Sequence, residues 1–176
     1  RSAQANHPTA FYLLGVFEGI QESGAADAKK AFAHYLRAAE LGSIDGMVAA
    51  AVAYRNGSGA DKNPSEAARW YRQAVERGSV PAMVGLATLI TSGQIGELDR
   101  AEVFRLMERA AKTGHPIANY TVASYYNAGY GTARNPEAGA RHLIEAMRHG
   151  GTEMLVRLLP SRIRSPRTSR TGRWRT

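Results

Sequence analysis

The residues best suited to chemistry are five histidines, His7, His34, His115, His142 and His149. Imidazole binds metals and moves protons near neutral pH. Four of the five recur in register, however: His7 with His115, and His34 with His142, each pair separated by a multiple of 36 residues. The members of each pair would then stand three structural units apart. Ligands around one ion sit at about 2 Å from it, so these histidines read as recurrent structural positions and no metal ligand is assigned. Ser58 stands between Gly57 and Gly59 but lacks the G-x-S-x-G setting of an activated serine. Glu66, Glu76, Glu102 and Glu108 fall singly on polar helix faces, without a paired-acid arrangement for general acid–base work. The glycine-rich stretches at 56–59 and 127–131 follow no strand and lack the Gly-Lys-Ser/Thr ending of a phosphate loop. Cysteine is absent, which excludes disulfides, thiolate metal sites and a Cys nucleophile. The expectation is therefore a protein that is not an enzyme, with no catalytic or cofactor-binding residue, no cofactor and no small-molecule substrate.

The elements that carry these residues repeat. Blocks 7–42, 43–78, 79–114 and 115–150 align without gaps, and each ends in glycine: Gly42, Gly78, Gly114 and Gly150. Glycine suits the left-handed position just past a helix end. Before it come small or apolar pairs, Ala38-Ala39, Ala74-Val75, Ala110-Ala111 and Ala146-Met147. Four residues earlier lie the bulkier pairs His34-Tyr35, Trp70-Tyr71, Leu106-Met107 and His142-Leu143. Steps of three and four place these on one helical face, which predicts the second helix of each block. The first helix opens on a small residue, Ala10, Gly46, Ala82 or Ala118, allowing close helix approach. Asn63-Pro64 and Asn135-Pro136 read as helix starts, with Asp27 and Asp99 in the same capping slot of the other two blocks. A stretch at 151–160, with Met154, Leu155, Leu158 and Leu159 and ending at Pro160, reads as a short C-terminal capping helix.

Tyr54-x2-Gly57-x-Gly59, followed by Ala67-x2-Trp70-Tyr71-x2-Ala74 and Gly78, resembles the Sel1-like repeat, a relative of the tetratricopeptide repeat with a longer loop. The fourth block is similar, with Gly139 in place of the usual Ala and His142-Leu143 in place of Trp-Tyr. The resemblance extends over 7–150. It implies an all-α, right-handed α/α superhelical solenoid of four helix–turn–helix repeats, which scaffolds or adapts a partner protein or peptide. By the same analogy the first helices line a concave groove. Carried over by block position, the groove would include Tyr12, Val48, Val84 and Tyr120, then Val16, Val52, Thr88 and Ser124, then Gly19, Arg55, Thr91 and Asn127, with Asn56 beside Arg55. An apolar floor with a few amide and guanidinium groups suits a peptide.

The net charge of +8 is concentrated at one end. Residues 161–176 hold Arg162, Arg164, Arg167, Arg170, Arg173 and Arg175 and no acid, so the rest of the chain carries only +2. Mixed with Ser, Thr, Pro and Gly, this tail has the composition of a disordered basic arm. It supplies the alternative reading: salt-sensitive attraction to nucleic acid or anionic lipid through the tail alone. The chain opens without Met or an apolar signal core, as a processed product or a piece of a longer one would, with 1–6 as a leader into the first repeat. The family resemblance, with arginine outnumbering lysine 19 to 4, points to a bacterial signalling or envelope assembly, periplasmic or membrane-tethered.

Overall fold

The computed structural model describes residues 7–20 and 25–158, with side chains from 7–20 and 27–150. These residues form eight helices and no strand: α1 (Pro8–Ile20), α2 (Ala25–Glu40), α3 (Ile44–Asn56), α4 (Pro64–Glu76), α5 (Val80–Thr91), α6 (Arg100–Lys112), α7 (Pro116–Ala128) and α8 (Pro136–Leu158). Each helix packs chiefly on its neighbours in the chain, which makes four helix pairs stacked as an α-helical repeat solenoid. No helix among the described residues is long and apolar enough to cross a membrane.

Capping side chains set most helix starts. Ser43, Asn63, Ser79, Asp99, His115 and Asn135 each accept a hydrogen bond from the backbone N–H three residues on, at 2.9–3.4 Å. Pro64, Pro116 and Pro136 follow directly, with φ already helical. Asp27 departs from the expected cap. Helix α2 begins two residues before it, and Asp27 pairs instead with Lys30 at 3.1 Å inside the first turn.

Gly42, Gly78 and Gly114 take φ of 91°, 84° and 82° and end α2, α4 and α6 as expected. Gly150 does not end its helix, because α8 runs through it to Leu158. The stretch after Gly150 therefore continues α8 and is not a separate capping helix. The reason lies in the next residue. Ser43, Ser79 and His115 follow the three turn glycines and cap the next helix, whereas Gly151 has no side chain with which to do so. The side chains of Met154, Leu155 and Leu158, together with Leu159, Pro160, residues 1–6 and the tail 161–176, lie outside the described residues.

Gly78 has no neighbour within 4 Å of a built Cβ. Gly78→Val should therefore act through backbone strain alone, lowering stability by about 1–3 kcal/mol. Chemical denaturation measures this, and an unchanged midpoint would mean that the turn does not need positive φ.

The core is rich in alanine, with Trp70, Tyr71, Leu86, Leu89, Val103 and Phe104 as its larger members. Small residues bring helix axes together: a Cβ on Gly46 would stand 2.7 Å from that of Ala38, and one on Gly85 2.5 Å from the Tyr71 ring. The joints between pairs alternate in type. Phe32 meets Tyr54 edge-on at 5.0 Å and 81°, and Phe104 meets Tyr126 at 5.1 Å and 81°. In the same two joints Gly59 abuts the Ala28 carbonyl and Gly131 the Arg100 carbonyl. At the joint between them Ala68 replaces the phenylalanine and Ile90 the tyrosine. A 72-residue period thus overlies the 36-residue one.

Candidate partner-binding groove

Helices α1, α2 and α3 enclose a groove of about 520 Å³. Tyr12 stands on α1, Phe32 and Tyr35 on α2, and Val48 and Val52 on α3, while Pro81 of the next pair also contributes to the lining. The rings of Tyr12 and Tyr35 are 6.1 Å apart and tilted by 41°. Glycine makes this possible: a Cβ on Gly15 would sit 2.6 Å from the Tyr35 ring, so the ring lies flat against α1. Burial, with a smaller effect from Tyr12, raises the Tyr35 phenol above its ordinary range and keeps it neutral. Asp45, exposed in the first turn of α3, is the acidic group of the lining and forms no ion pair among the described residues.

Of the groove residues expected from block position, Tyr12, Gly19, Val48 and Val52 are brought together here. The others lie elsewhere. Arg55 donates from Nε to the Asn56 side chain at 3.2 Å. Thr88 and Thr91 return their hydroxyls to the Val84 and Ala87 carbonyls at 2.8 and 2.9 Å, and Ser124 to that of Tyr120 at 3.2 Å. Val84 packs half-buried against the core, as does Val48 at the groove floor. Asn127 packs its amide against Gly139, whose Cβ would lie 2.7 Å from Oδ1. Val16 is half-buried on α1. The six tail arginines fall outside the described residues. Sequence reasoning missed Phe32, Tyr35 and Asp45 as groove residues. Phe32 had a signal, the recurrence of Phe104 72 residues later opposite a Tyr of the following block.

A second polar constellation lies between the last two pairs. Asn119 is buried, and its amide nitrogen donates to the Ala111 and His115 carbonyls at 2.9 and 3.2 Å. Its Oδ1 is therefore the acceptor facing His142 Nδ1 at 2.8 Å, which places the imidazole proton on Nδ1. The Tyr126 ring stacks on His142 at 5.7 Å, and its hydroxyl donates to Glu108 at 3.3 Å. Burial lowers the His142 pKa, with Glu108 the largest opposing influence, so the ring is neutral at neutral pH. Of the other histidines, His34 lies by Phe11 with ring centroids 6.2 Å apart, His115 caps α7, and His149 faces Glu145 at 3.6 Å. Among the described residues no three His, Asp or Glu side chains gather as a metal site.

A family model described as Sel1 repeat matches residues 8–43, 44–79 and 116–150. The unmatched stretch between them holds α5 and α6, a helix pair of the same form whose loop lacks the Gly-x-Gly of its neighbours. In fold, the chain is similar to a Sel1 repeat protein from Oxalobacter formigenes, with a TM-score of 0.78 and 22% identity over 90% of this chain and 64% of that one. It is similar also to a protective antigen present in uropathogenic Escherichia coli strains that displays an SLR fold, with a TM-score of 0.80 and 23% identity. There the match covers 89% of this chain and 33% of the antigen, so the chain spans under two thirds of the length of either neighbour. No curated protein matches the sequence.

Proposed function

The chain belongs to the Sel1 repeat family, and from that premise we propose that its α1–α3 groove holds a short segment of a partner protein. Sel1 repeat proteins act in general as protein-interaction scaffolds, a non-catalytic repeat class. The observation that supports this reading is the groove itself: aromatic and aliphatic walls from Tyr12, Phe32, Tyr35, Val48 and Val52 around one carboxylate, Asp45, which has no ion pair among the described residues. Such a surface favours an apolar or aromatic anchor flanked by Lys or Arg. The setting we assign is a bacterial signalling or envelope assembly, in keeping with two bacterial fold neighbours and an arginine-rich composition.

Crosslinking and pulldown from the native host, followed by affinity measurement with the recovered partner, tests the reading. Tyr12→Ala with Asp45→Asn should weaken capture about tenfold or more, the scale of one anchor residue at about 1.4 kcal/mol. Tyr120→Ala, on α7 outside the groove, should leave it unchanged. Equal capture by the parent and the double variant would refute the groove. Loss only on deletion of 161–176, with nucleic acid or lipid recovered, would move the binding function to the tail.

A further inference from the structure

The groove favours one kind of peptide, and the chain itself carries a match. Asp45, Val48 and Val52 fall on one face of α3, so a carboxylate is followed along the helix by an apolar stripe. Tyr12 and Phe32 wall the same space. The lining crosses from α1 over α3 to Pro81 of α5, and it contains none of the large apolar residues that α1 leaves exposed. Asp45 is its one charged residue among the described residues. The other blocks hold Thr9, Pro81 and Ile117 at that place, so this carboxylate beside an apolar floor belongs to this groove alone among the four blocks. An aromatic anchor with arginine next to it complements such a site. Residues 173–175, outside the described residues, read Arg-Trp-Arg. Trp174 is one of two tryptophans, and the other, Trp70, belongs to the core.

We propose that the tail of the same molecule occupies the groove, with Trp174 against the Tyr12, Phe32, Val48 and Val52 side chains and a flanking arginine on Asp45, so that a partner segment must displace it. This rests on the reading of the groove as a peptide site. Charge favours this occupant: residues 161–176 carry six arginines and no acid, and Asp45 has no ion pair among the described residues. Reach permits it. The groove lies between the first and second helix pairs, and α8 belongs to the fourth. Packed helices stand about 8–10 Å apart, so about 20–30 Å of stack separates the two. Residues 159–173 can span up to about 50 Å when extended. A short tether gives an effective concentration of about a millimolar. A contact with an intrinsic Kd of about 100 µM would then keep roughly nine molecules in ten closed.

The test is fluorescence anisotropy with a labelled peptide of residues 165–176, titrated against the full chain and against a full-length Trp174→Ser variant. The variant's own tail has lost its anchor. The peptide should therefore bind the variant about tenfold more tightly than the parent, whose tethered tail competes. Adding Tyr12→Ala and Asp45→Asn to the Trp174→Ser chain should weaken peptide binding about tenfold or more, with circular dichroism verifying the fold. A control peptide carrying Trp174→Ser keeps every arginine and should bind neither chain. Equal binding of the first peptide to parent and variant overturns the inference. So does binding that survives the groove substitutions, a control peptide that binds as well as the first, or a first peptide that binds neither chain. A parent that dimerises in light scattering while the Trp174→Ser chain stays monomeric also overturns it, because the tail would then sit in a second copy. Partner capture from the host separates this failure from that of the groove. A groove that still loses its partner on Tyr12→Ala with Asp45→Asn, while the peptide binds nothing, is a partner site that the tail does not occupy.

Discussion

Gly59→Ala should destabilise the first joint of the solenoid by about 3–5 kcal/mol, far more than the same change at Gly78. Both glycines have similar positive φ, 77° and 84°. Their surroundings differ. A Cβ at Gly78 meets nothing within 4 Å, whereas one at Gly59 would overlap the backbone carbonyl of Ala28 and crowd Phe32. Backbone strain is common to the two and costs about 1–3 kcal/mol at most. The remainder at Gly59 is overpacking against rigid helical backbone, typically another 1–3 kcal/mol. In a repeat array each unit is held mainly by its neighbours, so the damage should stay local. Hydrogen exchange should quicken in α2 and α3 while amides of α6 and α7 keep their parent rates. Gly131→Ala, facing the Arg100 carbonyl, should give the mirror pattern. If Gly59→Ala and Gly78→Ala lose the same stability, the loop-to-helix contact is not the reason for glycine at that position.

The second large effect concerns Asn119 and His142. His142→Leu alone leaves the buried Asn119 Oδ1 without its donor, which should lower stability by about 1–3 kcal/mol. Asn119→Met alone strands the imidazole N–H and should cost a similar amount. Made together they recreate the apolar pair of the preceding repeat, Met83 with Leu106. No backbone acceptor is orphaned, because the Ala111 carbonyl still receives the Gly114 N–H and the His115 carbonyl that of residue 119. The double variant should therefore lie within about 1 kcal/mol of the parent, with a coupling of about 1 kcal/mol or more between the sites. Additive losses would show that the two side chains act separately. The pair should also shape the pH dependence. Because the folded-state pKa of His142 is lowered from 6.5, the unfolded chain binds the extra proton first as pH falls. The parent's stability should be full above that range and decline below it, and the double variant should lose this part of the decline.

Much of the fold was legible because its signals act within a few residues. Turn glycines at 42, 78 and 114, and caps at Asn63, Asp99 and Asn135, satisfy backbone groups three to five positions away. Where the local signal was weaker, the expectation shifted. Asp27 proved to lie inside α2 and not at its start, and Gly150 lies inside α8 for want of a capping side chain after it. The groove was only partly legible. Tyr12, Val48 and Val52 follow from block position, but block position also names Thr88 and Ser124, whose hydroxyls are taken up by their own helices.

The sequence by itself determined the helix pairs, their period and most of their ends, since cap chemistry and apolar periodicity are properties of contiguous residues. Only the tertiary structure decided which repeats enclose the groove, which glycines touch a neighbouring backbone and which histidine meets a buried amide. Those outcomes depend on the volumes and hydrogen-bonding groups of residues far apart in the chain, such as Gly59 against the Ala28 carbonyl or His142 with the Asn119 amide. A repeat period shows that such positions correspond from block to block, but it does not fix how closely they approach.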